Sequence, residues 1–132
     1  MRPILLSTLI LLLLAAVSCS KDSDTPNYKY KLEGTWELHK TVWAQEDSIY
    51  APDNGHLLVF TPQNFESFED GQRVDSGSYI ITNAEEKPDI FNGAISLNGA
   101  QASGFYLHGD TLMLGGLGFV YNASFYIRKP DL

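Results

Sequence analysis

From Tyr30 to Arg128 no run of a dozen residues places apolar side chains at helical spacing, and no helix cap stands ahead of such a run. A chain that cannot pack helices must build its core from strands, in which successive side chains point to opposite faces. The residue types agree, since short stretches rich in Val, Ile, Thr, Tyr, Phe and Trp recur between clusters of turn residues. Eight strands are predicted, over Gly34 to Ala44, His56 to Thr61, Asn64 to Glu69, Arg73 to Thr82, Asp89 to Leu97, Ala100 to His108, Thr111 to Leu117, and Phe119 to Arg128. Asp70-Gly71 and Asn98-Gly99 supply the positive backbone angles of tight hairpins, and Gly109-Asp110 breaks the next pair. Thr61-Pro62-Gln63-Asn64 turns the chain between the second and third segments. Gln45 to Asn54 and Asn83 to Pro88 read as exposed loops.

A length of 132 residues leaves room for one domain. Strands joined by tight hairpins are neighbours in the sheet, and such a meander has two unpaired edges unless its first and last strands join. The expected fold is therefore all-β, an eight-stranded antiparallel up-and-down barrel; two packed sheets in a sandwich would carry the same local patterns. Gly93, Gly99, Gly104, Gly115, Gly116 and Gly118 crowd the second half, where barrel strands bend at corners, and they favour closure. In the last segment Phe119, Tyr121, Ala123, Phe125 and Ile127 form a dry face, and Val120, Asn122, Ser124, Tyr126 and Arg128 a mixed one.

The amino terminus has a different character. Arg2 precedes an uncharged stretch from Pro3 to Val17, followed by the small residues Ser18 and Cys19, which is the layout of a cleaved targeting segment. A helix from Ile4 to Val17 would rise about 21 Å, short of the roughly 30 Å hydrocarbon core, which disfavours a permanent span. Ala16-Val17-Ser18-Cys19 resembles the lipobox of bacterial lipoproteins, with Ala16 in place of the usual leucine. Cys19 is the single cysteine of the chain, and an idle thiol in an oxidising compartment is chemically awkward, so lipid attachment at Cys19 by palmitate-type acyl chains is expected. Residues 1–18 are then a signal peptide, 19–30 a polar tether and 31–132 the barrel domain. The Lys21-Asp22-Ser23-Asp24 run resembles the acidic signal that sends lipoproteins of Bacteroidetes-type cells to the surface. It implies an outer-membrane, surface-exposed location, with the periplasmic face as the alternative.

From Cys19 onward eight basic residues face sixteen acidic ones, a formal charge of −8, which repels phosphate backbones and excludes nucleic acid as a partner. His39, His56 and His108 have no second ligand at metal-binding spacing. No serine sits in a nucleophile elbow, and Glu66 with Glu69 or Asp47 with Asp53 lie in ordinary polar contexts. No catalysis, metal or cofactor is expected.

Leu32-Glu33-Gly34-Thr35-Trp36-Glu37-Leu38 is similar to the Gly-x-Trp opening of lipocalins and of the lipocalin-like domains of secreted lipoproteins, and Ser124-Phe125-Tyr126-Ile127-Arg128-Lys129 resembles their aromatic closing strand. Leu58 to Gln63, Gly77 to Ile80 and Gly109 to Leu114 resemble their middle phrases. The resemblance implies a lipocalin or calycin-like barrel in which Trp36 plugs one end and Arg128 lies over its ring, joining the strands that close the barrel. Asp47-Ser48-Ile49 resembles an O-glycosylation acceptor, which makes Ser48 a candidate attachment site, and Asp110-Thr111-Leu112 is a less accessible second match.

Two functions follow as expectations. In one, the anchored barrel is a noncatalytic module that binds a small apolar ligand lined by Trp43, Tyr50, Phe60, Phe65, Phe68, Tyr79, Phe105 and Tyr121. In the other, the barrel is filled, and an envelope protein is contacted through the loops. An interior cavity of roughly 300 Å³ or more would favour the first.

Overall fold

The computed structural model describes residues 31–44, 46–115 and 122–130. The leader, Cys19, the tether and Tyr121 lie outside the described residues.

Nine strands follow one another: β1 (Gly34–Trp43), β2 (Glu46–Ile49), β3 (Leu57–Phe60), β4 (Asn64–Glu69), β5 (Gln72–Lys87), β6 (Ile90–Leu97), β7 (Ser103–His108), β8 (Thr111–Gly115) and β9 (Asn122–Arg128). All pairings are antiparallel, and β9 returns to pair with β1, so β1 and β3 to β9 close an eight-stranded barrel. The sandwich is thereby excluded. β2 is an appendage: β3 pairs with Gly34 to Glu37 of β1, and β2 takes the same edge further along, at Lys40 to Trp43.

Two segments read as loops are structured. Glu46 to Ile49 forms β2, whose acidic and short polar residues give no strand signal and whose pairing comes from the β1 template. Asn83 to Lys87 continues β5 through a bulge, because Thr82 pairs with Ala94 and Glu85 with Asn92. Asn83 takes φ 52° there, and Ala84 packs against the core. Gly93 makes this possible, since a Cβ on it would meet the Thr82 carbonyl oxygen at 2.9 Å and the Phe105 ring at 3.1 Å.

The barrel interior is a packed cluster. Trp36, Phe60, Phe65, Tyr79, Phe91, Leu112 and Leu32 are its largest fully buried side chains. Around one level Leu38, Tyr126, Leu112, Leu107 and Phe91 are successive cross-strand partners and form a belt of apolar contacts. The mixed face of β9 therefore turns inward at this end. A bulge in β1 accommodates it: Leu38 pairs with Tyr126 and Lys40 with Phe125, so His39 is the extra residue. Beyond the bulge Phe125 lies on the outer face with Lys40, whose ammonium is 6.0 Å from the ring centroid.

The hairpins follow their turn residues, with Asp70 and Gly71 at φ 49° and 78°, and Asn98 and Gly99 at 52° and 70°. Asn98 does more than turn the chain. Its side-chain amide donates to the Ser76 carbonyl at 2.9 Å and its backbone N–H to the Ser78 carbonyl, fastening the first half of β5 beyond the end of β6. Gly77 leaves the space for it, since a Cβ there would lie 1.5 Å from Asn98 Oδ1. Gly77→Ala is expected to displace the amide and cost about 1–3 kcal/mol in urea unfolding. In an Asn98→Gly background, where the turn is kept and the side chain removed, the same substitution is expected to be nearly neutral, and an undiminished cost there would refute the assignment.

Candidate functional site

Three regions carry polar chemistry around the barrel. At the plugged end Arg128, which pairs with Trp36 across the β1–β9 seam, lays its guanidinium 4.1 Å from the indole centroid. Nη1 donates to the Glu33 carbonyl at 2.6 Å and Nη2 to the Lys31 carbonyl at 2.8 Å, while Nε faces Asp110 at 3.6 Å. Trp36 donates its indole N–H to the Leu32 carbonyl at 2.8 Å. The chain segment before β1 is thus pinned under the barrel by two side chains that recognise its carbonyls. Gly34 permits the approach: it takes φ 124°, and a Cβ there would stand 2.9 Å from Nη1.

Beside this clasp lies an open groove of about 490 Å³, walled by Pro88, Ile90, Phe91 and Leu107 and bordered by Lys31, Asp89, His108 and Arg128. Lys31, at its border, pairs with Glu86 of β5. The charged groups are of both signs, so the groove has an apolar floor and a balanced rim.

On the flank, Lys129 bridges Glu37 at 3.1 Å and Asp53 at 2.7 Å, Asp53 N–H donates to Glu37 at 3.0 Å, and the Asn54 amide donates to the Leu38 carbonyl at 2.8 Å. These contacts hold the Tyr50 to His56 segment against β1. The ammonium beside Asp53 holds its carboxyl below the ordinary value, and the two carboxylates raise Lys129. A smaller niche of about 210 Å³ opens there between Leu38, Tyr50, Pro52 and Ile127.

The third region is the edge formed by β2, the far end of β1 and the start of β9. On the face that turns inward below the bulge, Trp43 of β1 stands between Glu46 of β2 and Asn122 of β9, and one layer deeper Thr41 stands between Ser48 and Ser124. Trp43 is 70% exposed.

The residues named as ligand-lining separate. Phe60, Phe65, Tyr79 and Phe105 are buried in the core, Phe60 edge-on to Tyr79 at 5.2 Å. Phe68 is half-buried between Leu57 and Arg73, Tyr50 packs edge-on against His56 outside the barrel, and Trp43 is at the rim. Ser48 is exposed on β2. The carboxylates do not converge, because Glu66 pairs with Arg73, Asp47 with Lys40 and Asp53 with Lys129. Among the described residues no group of three or more His, Cys, Asp or Glu could hold a metal ion. Sequence reading passed over the Glu37–Lys129–Asp53 bridge and the groove, whose members are far apart along the chain and carry no local pattern.

No protein-family model matches the chain, and neither a curated protein nor a solved structure matches it.

Arg128→Lys keeps the charge but not the planar fork that reaches two carbonyls, and is expected to destabilise by about 2–3 kcal/mol in urea unfolding. Tyr79 gives a second expectation. Its hydroxyl donates to the Thr61 carbonyl at 2.8 Å, and burial, with Glu33 adding, pushes its phenol up to about 12 from 10.0. The native state thus holds this proton more tightly than the unfolded chain. Its stabilisation is intact below pH 10 and is lost as the pH rises toward 12. In unfolding midpoints measured across that window, wild type is expected to fall more steeply than Tyr79→Phe.

Proposed function

We propose that this chain is a membrane-anchored, noncatalytic lipoprotein of the lipocalin-like kind, tethered through acyl chains on Cys19 at the surface of the outer membrane. Its barrel is a filled scaffold that acts through its rim and outer surface toward a partner in the envelope. The observation that carries this reading is the packed interior, in which Trp36, Phe60, Phe65, Tyr79, Phe91 and Leu112 occupy the space an apolar ligand would need. The face over β2, β1 and β9 also carries Thr41, Ser48, Ser124, Glu46 and Asn122 around Trp43, so this edge combines hydrogen-bonding groups with one exposed indole. The leader, the lipobox-like residues before Cys19 and the Gly34-Thr35-Trp36 phrase support the anchor and the family resemblance.

A second reading, a small and largely apolar ligand, is favoured by the groove of about 490 Å³ floored by Ile90, Phe91 and Leu107. Such a ligand would sit at the plugged end and not in the barrel interior.

Mass spectrometry of the protein purified from its own cells tests both. An acylated Cys19 at the mature amino terminus is expected, with Cys19→Ala moving the protein to the soluble fraction; a retained leader with a free thiol would remove the anchor. Under native conditions no copurifying small molecule is expected. A copurifying small molecule released by Ile90→Asp would instead establish the second reading.

A further inference from the structure

We propose that the rim around Trp43 is a carbohydrate site that receives a neutral pyranose ring of a glycan. Trp43 sits at the end of β1, in the hairpin that leads to β2, and an indole of a size that normally fills a core is there 70% exposed. It differs from the other exposed apolar residues. Ile49 lies on the opposite face of the ribbon with Lys40, Val74 is the extra residue of a bulge in β5, Ile80 faces outward beside Ser96, and Ile127 lines the niche on the flank.

The neighbours of Trp43 define the ligand chemistry. Cross-strand pairing puts Glu46 on one side of it and Asn122 on the other, with Ser48, Thr41 and Ser124 in the next layer on the same face. A pyranose has a C–H face that packs on an aromatic ring and a rim of hydroxyls that both donate and accept. One indole supplies the first surface. A carboxylate acceptor, a carboxamide with both functions and the hydroxyls of Thr41 and Ser48 supply the second, while the Ser124 hydroxyl is engaged with Tyr126. Strand pairing fixes the backbone register that sets Glu46 and Asn122 on either side of Trp43.

Charge narrows the class further. Glu46 is the sole ionised group of this set, Asp47 being turned to the other face with Lys40, and the chain from Cys19 onward carries a formal −8. An acidic glycan or an anionic lipid surface would meet repulsion, whereas a neutral sugar would not. The inference rests on the surface-acting part of the proposed function and is independent of the lipid anchor.

Trp36 and Trp43 are the two tryptophans of the chain, and Trp36 is fully buried, so iodide quenching reports on Trp43 against an internal control. The mature chain is titrated with maltohexaose, cellohexaose, mannohexaose and chitohexaose up to about 10 mM, a range that covers weak millimolar binding. Hexagalacturonate and phosphatidylglycerol vesicles serve as the acidic and lipid comparisons. At least one neutral hexasaccharide is expected to give a saturable blue shift and protection from iodide. By calorimetry its affinity is expected to fall about tenfold or more in Trp43→Ala and in Asn122→Ala. Far-UV circular dichroism checks that these exposed substitutions leave the fold intact. The inference is overturned by the absence of saturable binding to any of the four, by binding that survives Trp43→Ala, or by a response to the vesicles or the polyanion alone. Loss of the glycan with Cys19 acylated would leave the proposed function standing; a free Cys19 with the glycan bound would remove the anchor and keep the site.

Discussion

The guanidinium of Arg128 joins four things that would otherwise be separate: the last strand, the first strand, the indole that plugs the barrel and the segment that leads into it. Two of its N–H groups satisfy the carbonyls of Glu33 and Lys31, and its plane covers Trp36. A fork of fixed geometry does this with one side chain, and Lys cannot replace it because an ammonium lacks the planar, divergent donors. Once β9 is held to β1 the sheet has no free edge along the seam, and the strands between them must curve around whatever their inner faces carry.

What those faces carry is unevenly distributed. Around Trp36 they are aromatic and close-packed, and three bulges adjust strand curvature so that large side chains interdigitate, at His39, Val74 and Asn83 with Ala84. Toward the rim the same inner face of β1 and β9 becomes polar, with Thr41, Ser124 and Asn122. This polar stretch is confined to β1, β2 and β9, because Ser124 faces Leu114 and Leu114 faces the buried Phe105 across the next strands. The filled interior braces the hairpin of β1 and β2 and the start of β9, whose register sets Trp43 between Glu46 and Asn122.

The polar clasp on the flank serves the same end by a different route. Lys129 follows the closing strand directly and reaches Glu37 and Asp53, so the residue after β9 and the segment after β2 are fastened to the same strand. With the Asn54 contact to Leu38, this leaves the hairpin of β1 and β2 projecting from a braced base.

Turn dipeptides, alternation and the lack of a helical period were enough to specify strands and hairpin order, because each is set by φ preferences and side-chain parity within a few residues, whereas the choice of barrel over sandwich is decided by the pairing of β9 with β1. Asn64–Glu69 forms β4 with the predicted limits for that reason. β2 was not legible, since Glu46, Asp47 and Ser48 have low strand preference and pair only because β1 offers an open edge beyond β3. The rim was equally hidden. Trp43 was recognised as an aromatic of interest, but its exposure and its placement between Glu46 and Asn122 depend on a hairpin and a seam that join residues about eighty positions apart. Local propensity and parity are written into the chain; the bulges that shift register, the space Gly77 and Gly93 leave for distant groups, and the company each side chain keeps were decided when the sheet closed on itself.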